Sequence, residues 1–171
     1  MVVKSLNRTY IATMQSRLAL MICAVMIGTV SGPAVAADSV MEGPPIGFYA
    51  VLTADEQSAT TESPGSGRAD FLLDRATTTL SWKVTYKDTT SPVTGAHIHG
   101  PQRPGVNAGV MFDLAQKGQK LPLEGSVVLT DAQLEYLLSG RTYVNIHTTK
   151  YPAGELRGQI ERVPPAEAVT N

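Results

Sequence analysis

Strict alternation of apolar and polar residues over residues 78–86 is the feature that most constrains the fold of this chain. Leu80, Trp82, Val84 and Tyr86 fall on one face, and the polar residues between them fall on the other. Successive side chains of a β-strand point to opposite faces of the sheet, so this pattern predicts a strand with one buried face. Further strands must then complete a sheet and a core around these apolar residues.

Similar short segments recur along the chain, separated by clusters of Gly, Pro, Ser, Thr and Asn, which is typical of antiparallel strands and turns. Residues 130–133 instead have the form of a capping box, and leucines then recur at helical spacing, which predicts a short helix near residues 131–139. We predict an all-β fold, a two-sheet antiparallel Greek-key sandwich with this one helix, and a closed β-barrel is the alternative. The eight predicted strands cover residues 46–53, 68–74, 78–86, 96–100, 109–114, 123–129, 141–148 and 154–161.

The N-terminal region has the order of a secretory signal peptide. The first 37 residues contain three basic side chains and no acidic one, with an apolar run over 18–30 and a small-x-small pattern at 34–36. We predict a signal peptide over 1–37, a polar leader over 38–45, the domain over 46–161 and a disordered tail over 162–171. A transmembrane anchor is the alternative, but the apolar run of 13 residues is shorter than the roughly 20 that a membrane-spanning helix needs. A start at Met14 would leave the signal intact.

Removal of the signal peptide leaves an acidic chain without cysteine. The signal takes away three of the 14 basic residues, none of the 15 acidic residues and the one cysteine, so the net charge becomes −4. No cluster of Lys and Arg remains to attract phosphate groups, so neither nucleic acid nor a membrane surface is an expected partner. No disulfide can form, so packing must stabilise about 134 residues in one domain. We predict an extracytoplasmic protein, either periplasmic or secreted.

The three histidines of the chain fall in two predicted strands. In the first of these strands Ile98 takes the core face, which leaves His97 and His99 together on the opposite face. In the later strand Ile146 takes the core face and His147 points away from the core. Alternation therefore predicts that all three imidazoles lie on a shared exterior surface.

Two histidines two residues apart on one strand face lie about 7 Å apart at Cα, so their rings can converge on one metal ion. A third ligand could come from His147, if the two strands are neighbours. Three histidines leave an open coordination position, and neutral imidazole suits copper and zinc. The sequence thus predicts one mononuclear copper or zinc site at His97, His99 and His147. The alternative interpretation is that these are solvent-facing strand histidines whose spacing arises from alternation alone.

No other residues form a pattern typical of catalysis. The sequence contains no Gly-x-Ser-x-Gly turn, no phosphate-binding glycine loop and no cysteine outside the signal peptide, so we predict no catalytic residue. One strand face carries Glu155, Arg157 and Gln159. These residues form either a polar recognition strip or a structural Glu–Arg pair on a strand surface, and we favour the structural pair. Residues 54–67 are polar and small, which predicts a flexible connection within a long hairpin.

Four segments follow one another along the chain: 95–101 (GAHIHGP), 129–134 (LTDAQL), 140–148 (GRTYVNIHT) and 152–159 (PAGELRGQ). In their order and spacing they resemble the chordin-type (CHRD) domain. The resemblance covers roughly residues 46–160, nearly the whole mature chain, and it implies a β-sandwich. Its His-x-His strand is similar to the copper-binding strand of Cu,Zn superoxide dismutases. The chain departs from the dismutase pattern, because it has three histidines where the dinuclear site needs more, and it lacks the stabilising disulfide.

These observations together predict an exported, non-catalytic CHRD binding protein. It would bind an unidentified protein, or one copper or zinc ion through His97, His99 and His147. A mononuclear copper-dependent redox enzyme, distantly like superoxide dismutase, is the alternative function. The two functions differ in whether the bound ion has an open coordination position and converts a substrate catalytically.

Overall fold

A computed structural model describes residues 43–164 of the chain. The predicted signal peptide, residues 38–42 of the predicted leader and residues 165–171 of the predicted tail lie outside this described part. Within residues 43–164, no helix has the length and the apolar character that a membrane span requires.

Nine strands and one helix make up the described part of the chain. The helix, α1, spans Asp131–Leu138, as the sequence predicts. All eight predicted strands are present with ends displaced by at most three residues, and a short ninth strand follows them. The strands are β1 (Ile46–Thr53), β2 (Ser66–Asp74), β3 (Thr79–Lys87), β4 (Val93–His99), β5 (Val110–Asp113), β6 (Leu123–Val128), β7 (Tyr143–Thr148), β8 (Leu156–Gln159) and β9 (Glu161–Arg162).

Every strand pairing is antiparallel, in the order β5-β4-β7-β8-β1-β2-β3-β6, with β9 beside β1. The predicted all-β, antiparallel, sandwich-like fold with one short helix is confirmed. One detail differs from the predicted pair of sheets, because Thr53 of β1 pairs with Arg157 of β8 and joins the two halves into one curled sheet. The sheet is open, since its end strands β5 and β6 do not pair with each other within residues 43–164.

The two halves of the curled sheet share one apolar core. Trp82 and Val84 of β3 and Ile98 of β4 are all buried in it, which confirms the core faces predicted for these strands. The Trp82 indole N–H also donates a 3.1 Å hydrogen bond to the carbonyl of Leu114, just after β5. This contact ties together strands from opposite ends of the sheet.

Helix α1 is delimited by the residues that the sequence predicts for its ends. Thr130 Oγ1 accepts a 3.4 Å hydrogen bond from the N–H of Gln133, and Gln133 Oε1 accepts a 2.9 Å bond from the N–H of Thr130. Gly140 has a φ of 67°, a left-handed conformation that glycine adopts at low cost where a helix ends. Leu134 and Leu137 pack into the core, and the helix carries the chain from β6 to β7.

Candidate metal centre

Strands β4 and β7, which carry the three histidines, are neighbours in the sheet. Their antiparallel register places His99 opposite Tyr143, and His147 opposite Gly95. The apolar residues of both strands point into the core, so His97, His99 and His147 lie together on the other face, as alternation predicts. Adjacency of these two strands is the step that the sequence left open.

The three imidazole rings form one cluster. The Nε2 atoms of His99 and His147 are 3.4 Å apart. Ligand nitrogens held about 2.0–2.1 Å from a tetrahedral zinc ion are separated by about 3.4 Å, so this pair already has the spacing of two ligands. His97 completes the set, because one ring nitrogen from each of the three histidines lies within 4.8 Å of the others.

Backbone carbonyls fix the tautomer of two of the rings. The Nδ1 atom of His99 lies 3.0 Å from the carbonyl oxygen of Ala108, and that of His147 lies 2.9 Å from the carbonyl oxygen of Pro152. A carbonyl only accepts hydrogen bonds, so in the neutral rings each Nδ1 carries the hydrogen and each Nε2 presents a lone pair. The two lone pairs therefore face each other with no hydrogen between them, an arrangement that a cation stabilises.

Both of these imidazoles favour the neutral form. Burial lowers the pKa of His99, and the positive charges of His147, His97 and Arg157 lower it further, against the raising effect of its backbone hydrogen bond. Burial is also the main cause that lowers the pKa of His147, and the charge of His97 adds to it. Metal ions bind neutral imidazole, so near neutral pH these two rings would lose no proton on binding an ion.

His97 differs from the other two histidines, because its Nδ1 atom is buried and has no hydrogen-bond partner within the described part of the chain. A buried polar atom without a partner costs about 1–3 kcal/mol, and a metal ion coordinated by this nitrogen would supply the partner. The ring lies against Gly95, where an added Cβ would sit 2.8 Å from Cε1 of His97. The absence of a side chain at position 95 leaves the space that this ring occupies.

The connection between β4 and β5 holds the His99 ring. Its Ala108 carbonyl accepts the hydrogen bond from His99, and the N–H of the same residue donates a 2.9 Å bond to the hydroxyl of Tyr143. The Tyr143 ring stacks on the His99 ring, with centroids 5.1 Å apart and planes 10° apart. The orientation of His99 is thus set by residues outside the ligand set, as is common at metal sites.

Arg157 lies next to this stack and is 1% exposed. Its Cζ atom is 3.4 Å from the centroid of the Tyr143 ring, which is a cation–π contact. Its guanidinium donates hydrogen bonds of 3.0 Å to Asn107 Oδ1 and 3.1 Å to the carbonyl of Val106. Arg157 therefore fixes the same connection that orients His99.

Glu155 is buried and accepts hydrogen bonds from the β1–β2 connection, from the β3–β4 connection and from β7. Its Oε1 accepts hydrogen bonds from Ser63 Oγ (2.6 Å) and from the N–H of Thr90 (2.7 Å), and its Oε2 accepts from Thr90 Oγ1 (3.0 Å) and Thr148 Oγ1 (2.6 Å). Burial raises the pKa of Glu155, but these hydrogen bonds outweigh burial and bring the pKa below its ordinary value. The predicted surface pair with Arg157 is wrong, since both side chains are buried and no ion pair joins them in the described part.

The long connection between β1 and β2 also packs on this polar face. Gln57 Nε2 donates a 2.7 Å hydrogen bond to Asn145 Oδ1, and Ser58 Oγ donates a 3.0 Å bond to Asn107 Oδ1. Thr61 Oγ1 donates a 3.1 Å bond to the backbone carbonyl of Glu155. The predicted long hairpin of β1 and β2 is thus present, and its connection makes contacts with this face that its composition does not predict. The exterior surface predicted for the histidines is consequently covered in part: His99 is 7% exposed, whereas His97 and His147 are half-buried.

Comparison with known protein families gives one result. The family model of the CHRD domain matches residues 48–160, a segment that contains the three histidines, Glu155 and Arg157. Neither the curated proteins nor the solved structures include a significant match to the chain. CHRD domains occur in extracellular proteins. Because the family match covers well over half of the sequence and runs from β1 to the end of the main sheet, the chain belongs to the CHRD domain family.

Proposed function

We propose that this protein is an exported, non-catalytic CHRD binding protein that holds one copper or zinc ion through His97, His99 and His147. The observation that carries this proposal is the pair of Nε2 lone pairs that face each other at 3.4 Å. Two neutral rings in this arrangement repel, whereas an ion between them is attracted to both. Imidazole ligands favour copper and zinc among the common ions, and three of them leave one position open.

The surroundings of the histidines support the same proposal. Metal-bound histidines usually donate their second ring N–H to a carbonyl or carboxylate, which orients the ring and raises its basicity. His99 and His147 each have such a partner, in Ala108 and Pro152. The rings are thus oriented before an ion arrives, so little conformational entropy is lost on binding.

Export is the second part of the proposal. It rests on the charged and apolar order of residues 1–37, on the absence of cysteine from the rest of the chain and on the extracellular occurrence of CHRD domains. The net charge of −4 after removal of residues 1–37 disfavours nucleic acid and anionic membranes as partners. An unidentified protein remains the alternative partner.

Metal titration of the purified protein tests the proposed site. We expect Cu(II) or Zn(II), measured separately by calorimetry, to bind with one ion per chain and submicromolar affinity. Elemental analysis of protein isolated from its native compartment should find the same stoichiometry. A triple variant, His97→Ala, His99→Ala and His147→Ala, should lose this binding. Equally weak binding by the wild-type protein and the triple variant would contradict the proposal.

A more selective variant leaves all three histidines in place. Gly95→Ala would put a Cβ 2.8 Å from the His97 ring and displace it, so metal affinity should fall by about tenfold or more. Gly109→Ala is the matched control, because a Cβ at that position meets no atom within 4 Å. Thermal unfolding of both variants without metal establishes that folding is retained. Equal metal affinities for the two variants would argue against His97 as a ligand.

Partial exposure of His97 and His147 favours a second candidate, a mononuclear copper-dependent redox enzyme, because an open coordination position there would be reached by solvent. Copper-loaded protein should then consume superoxide catalytically, and His99→Ala should abolish the rate. A rate no greater than that of the triple histidine variant would exclude the redox function and leave metal binding as the proposed function.

A further inference from the structure

The candidate ligands of the histidine cluster carry no negative charge. Its three candidate ligands are neutral imidazoles, and no carboxylate belongs to the cluster within residues 43–164. The formal charge of an ion bound there would therefore not be reduced by its ligands. Asp113 lies opposite His97 in the register of β4 and β5, but it is exposed, so water screens its charge. Any other charge close to the site then affects which ion is preferred.

Arg157 supplies such a charge. It is 1% exposed and lies on the Tyr143 ring, which in turn stacks on His99. The hydrogen-bond acceptors of its guanidinium are the neutral Asn107 side chain and the Val106 carbonyl. Arg157 takes no part in the ion pairs that join Arg68 to Asp70 and Lys87 to Asp88.

From this arrangement we infer that the site selects monovalent copper, Cu(I), over Cu(II) and Zn(II), and that Arg157 is the specificity-determining residue. The inference rests on the proposed function, since it concerns the ion bound by the same histidines. A fixed positive charge repels a divalent ion twice as strongly as a monovalent one at the same position, and burial reduces the screening of that repulsion by water. Arg157 thus penalises Cu(II) and Zn(II) more than Cu(I).

The number of ligands also favours Cu(I) over Cu(II) and Zn(II). Cu(II) prefers a tetragonal arrangement with four or more ligands, and zinc completes a tetrahedron with a fourth. The cluster offers three ring nitrogens, so the fourth ligand of Cu(II) or zinc would have to come from outside the protein. Cu(I), with a filled d shell, requires no more than three nitrogen ligands.

Competition titrations with the metals alone test the inference on the wild-type protein. Cu(I) is generated from Cu(II) by ascorbate without oxygen, each Cu(II) accepting one electron, and its affinity is measured against the chromophoric chelator bicinchoninate. Cu(II) and Zn(II) affinities are measured against nitrilotriacetate. We expect Cu(I) to bind most tightly. Tighter binding of Cu(II) or Zn(II) would overturn the inference and leave the proposed metal function standing, whereas no binding of any of the three ions would remove both.

Arg157→Gln tests the origin of the preference. Loss of the buried charge should raise Cu(II) affinity and reduce the ratio of Cu(I) to Cu(II) affinities by about tenfold, or about 59 mV in the potential of the bound couple. A purely structural role of Arg157 would weaken the binding of both oxidation states together. Lys83→Gln is the matched control, because it removes an exposed positive charge from β3, three strands away from β8. An unchanged ratio in folded Arg157→Gln would refute the role of Arg157, and if the variant does not fold, the wild-type affinities decide.

Discussion

Replacement of Glu155 by alanine tests whether the buried polar layer stabilises the fold. Four hydrogen bonds of 2.6–3.0 Å end on this carboxylate, which is 0% exposed. Each hydrogen bond to a charged group contributes about 1.5–3 kcal/mol, but the three hydroxyl donors can partly turn to other acceptors, while the N–H of Thr90 cannot. We therefore expect Glu155→Ala to lower the free energy of unfolding by about 3–5 kcal/mol.

Urea unfolding at neutral pH, with the protein free of metal, measures this change. Glu155→Gln keeps one oxygen acceptor and loses the charge, so it should cost less, about 1–2 kcal/mol. Glu124→Ala removes an exposed carboxylate from β6 and should stay within about 0.5 kcal/mol of the wild type. An alanine variant at position 155 as stable as the Glu124→Ala control would refute the reasoning, because the four hydrogen bonds would then contribute nothing.

The same carboxylate makes the fold sensitive to acid. The pKa of Glu155 is lower in the folded protein than its ordinary value, so its stabilisation is complete above the pKa of the unfolded chain. It is lost as the pH falls through the folded pKa, where the carboxylate takes up a proton in both states. Glu155→Gln should therefore lack this part of the acid-induced loss of stability.

Three further variants or conditions probe the core and the histidine cluster. Because the pKa values of His99 and His147 are lowered in the folded protein, the unfolded chain takes up protons first, and the free energy of unfolding should decrease as pH falls below about 6.5. Urea unfolding at several pH values measures this decrease, which the triple histidine variant should not show. Tyr143→Phe removes the hydroxyl that accepts a hydrogen bond from the N–H of Ala108, in the connection that holds His99. Calorimetry should therefore find metal affinity about tenfold lower. An unchanged affinity would contradict a role of this hydroxyl in orienting His99. Trp82→Phe leaves the carbonyl of Leu114 without its donor and should lower the free energy of unfolding in urea by about 2 kcal/mol. An unchanged free energy would mean that this contact does not stabilise the sheet.

The fold could be predicted from the sequence because its signals are local. Alternation in β3 fixes which residues face the core, and the capping box at Thr130 fixes where α1 begins. The single curled sheet could not be predicted in this way. It depends on the pairing of Thr53 with Arg157, which are distant in sequence, and no local pattern encodes that contact.

The histidine cluster could be predicted only in part. Alternation places His97 and His99 on one face, but the contribution of His147 depends on the pairing of β4 with β7. Burial of Glu155 and Arg157 was missed, because alternation distinguishes the two faces of a strand but does not say whether the second face is covered. Charged residues on a strand face are normally exposed, so the sequence alone favours a surface position for both side chains.

What covers that face is the pair of long connections between β1 and β2 and between β4 and β5. On an uncovered strand surface the three histidine rings would rotate freely and be fully hydrated. Binding an ion would then cost both the rotational freedom of the rings and their hydration. Here the second connection supplies the carbonyl of Ala108 that fixes the His99 tautomer, and the first is tied to it where Ser58 donates to Asn107. The strands thus provide the spacing of the three histidines, and the connections orient His99 and shield it from water. Substitutions in these polar loops should therefore change metal affinity even where they leave all three histidines in place.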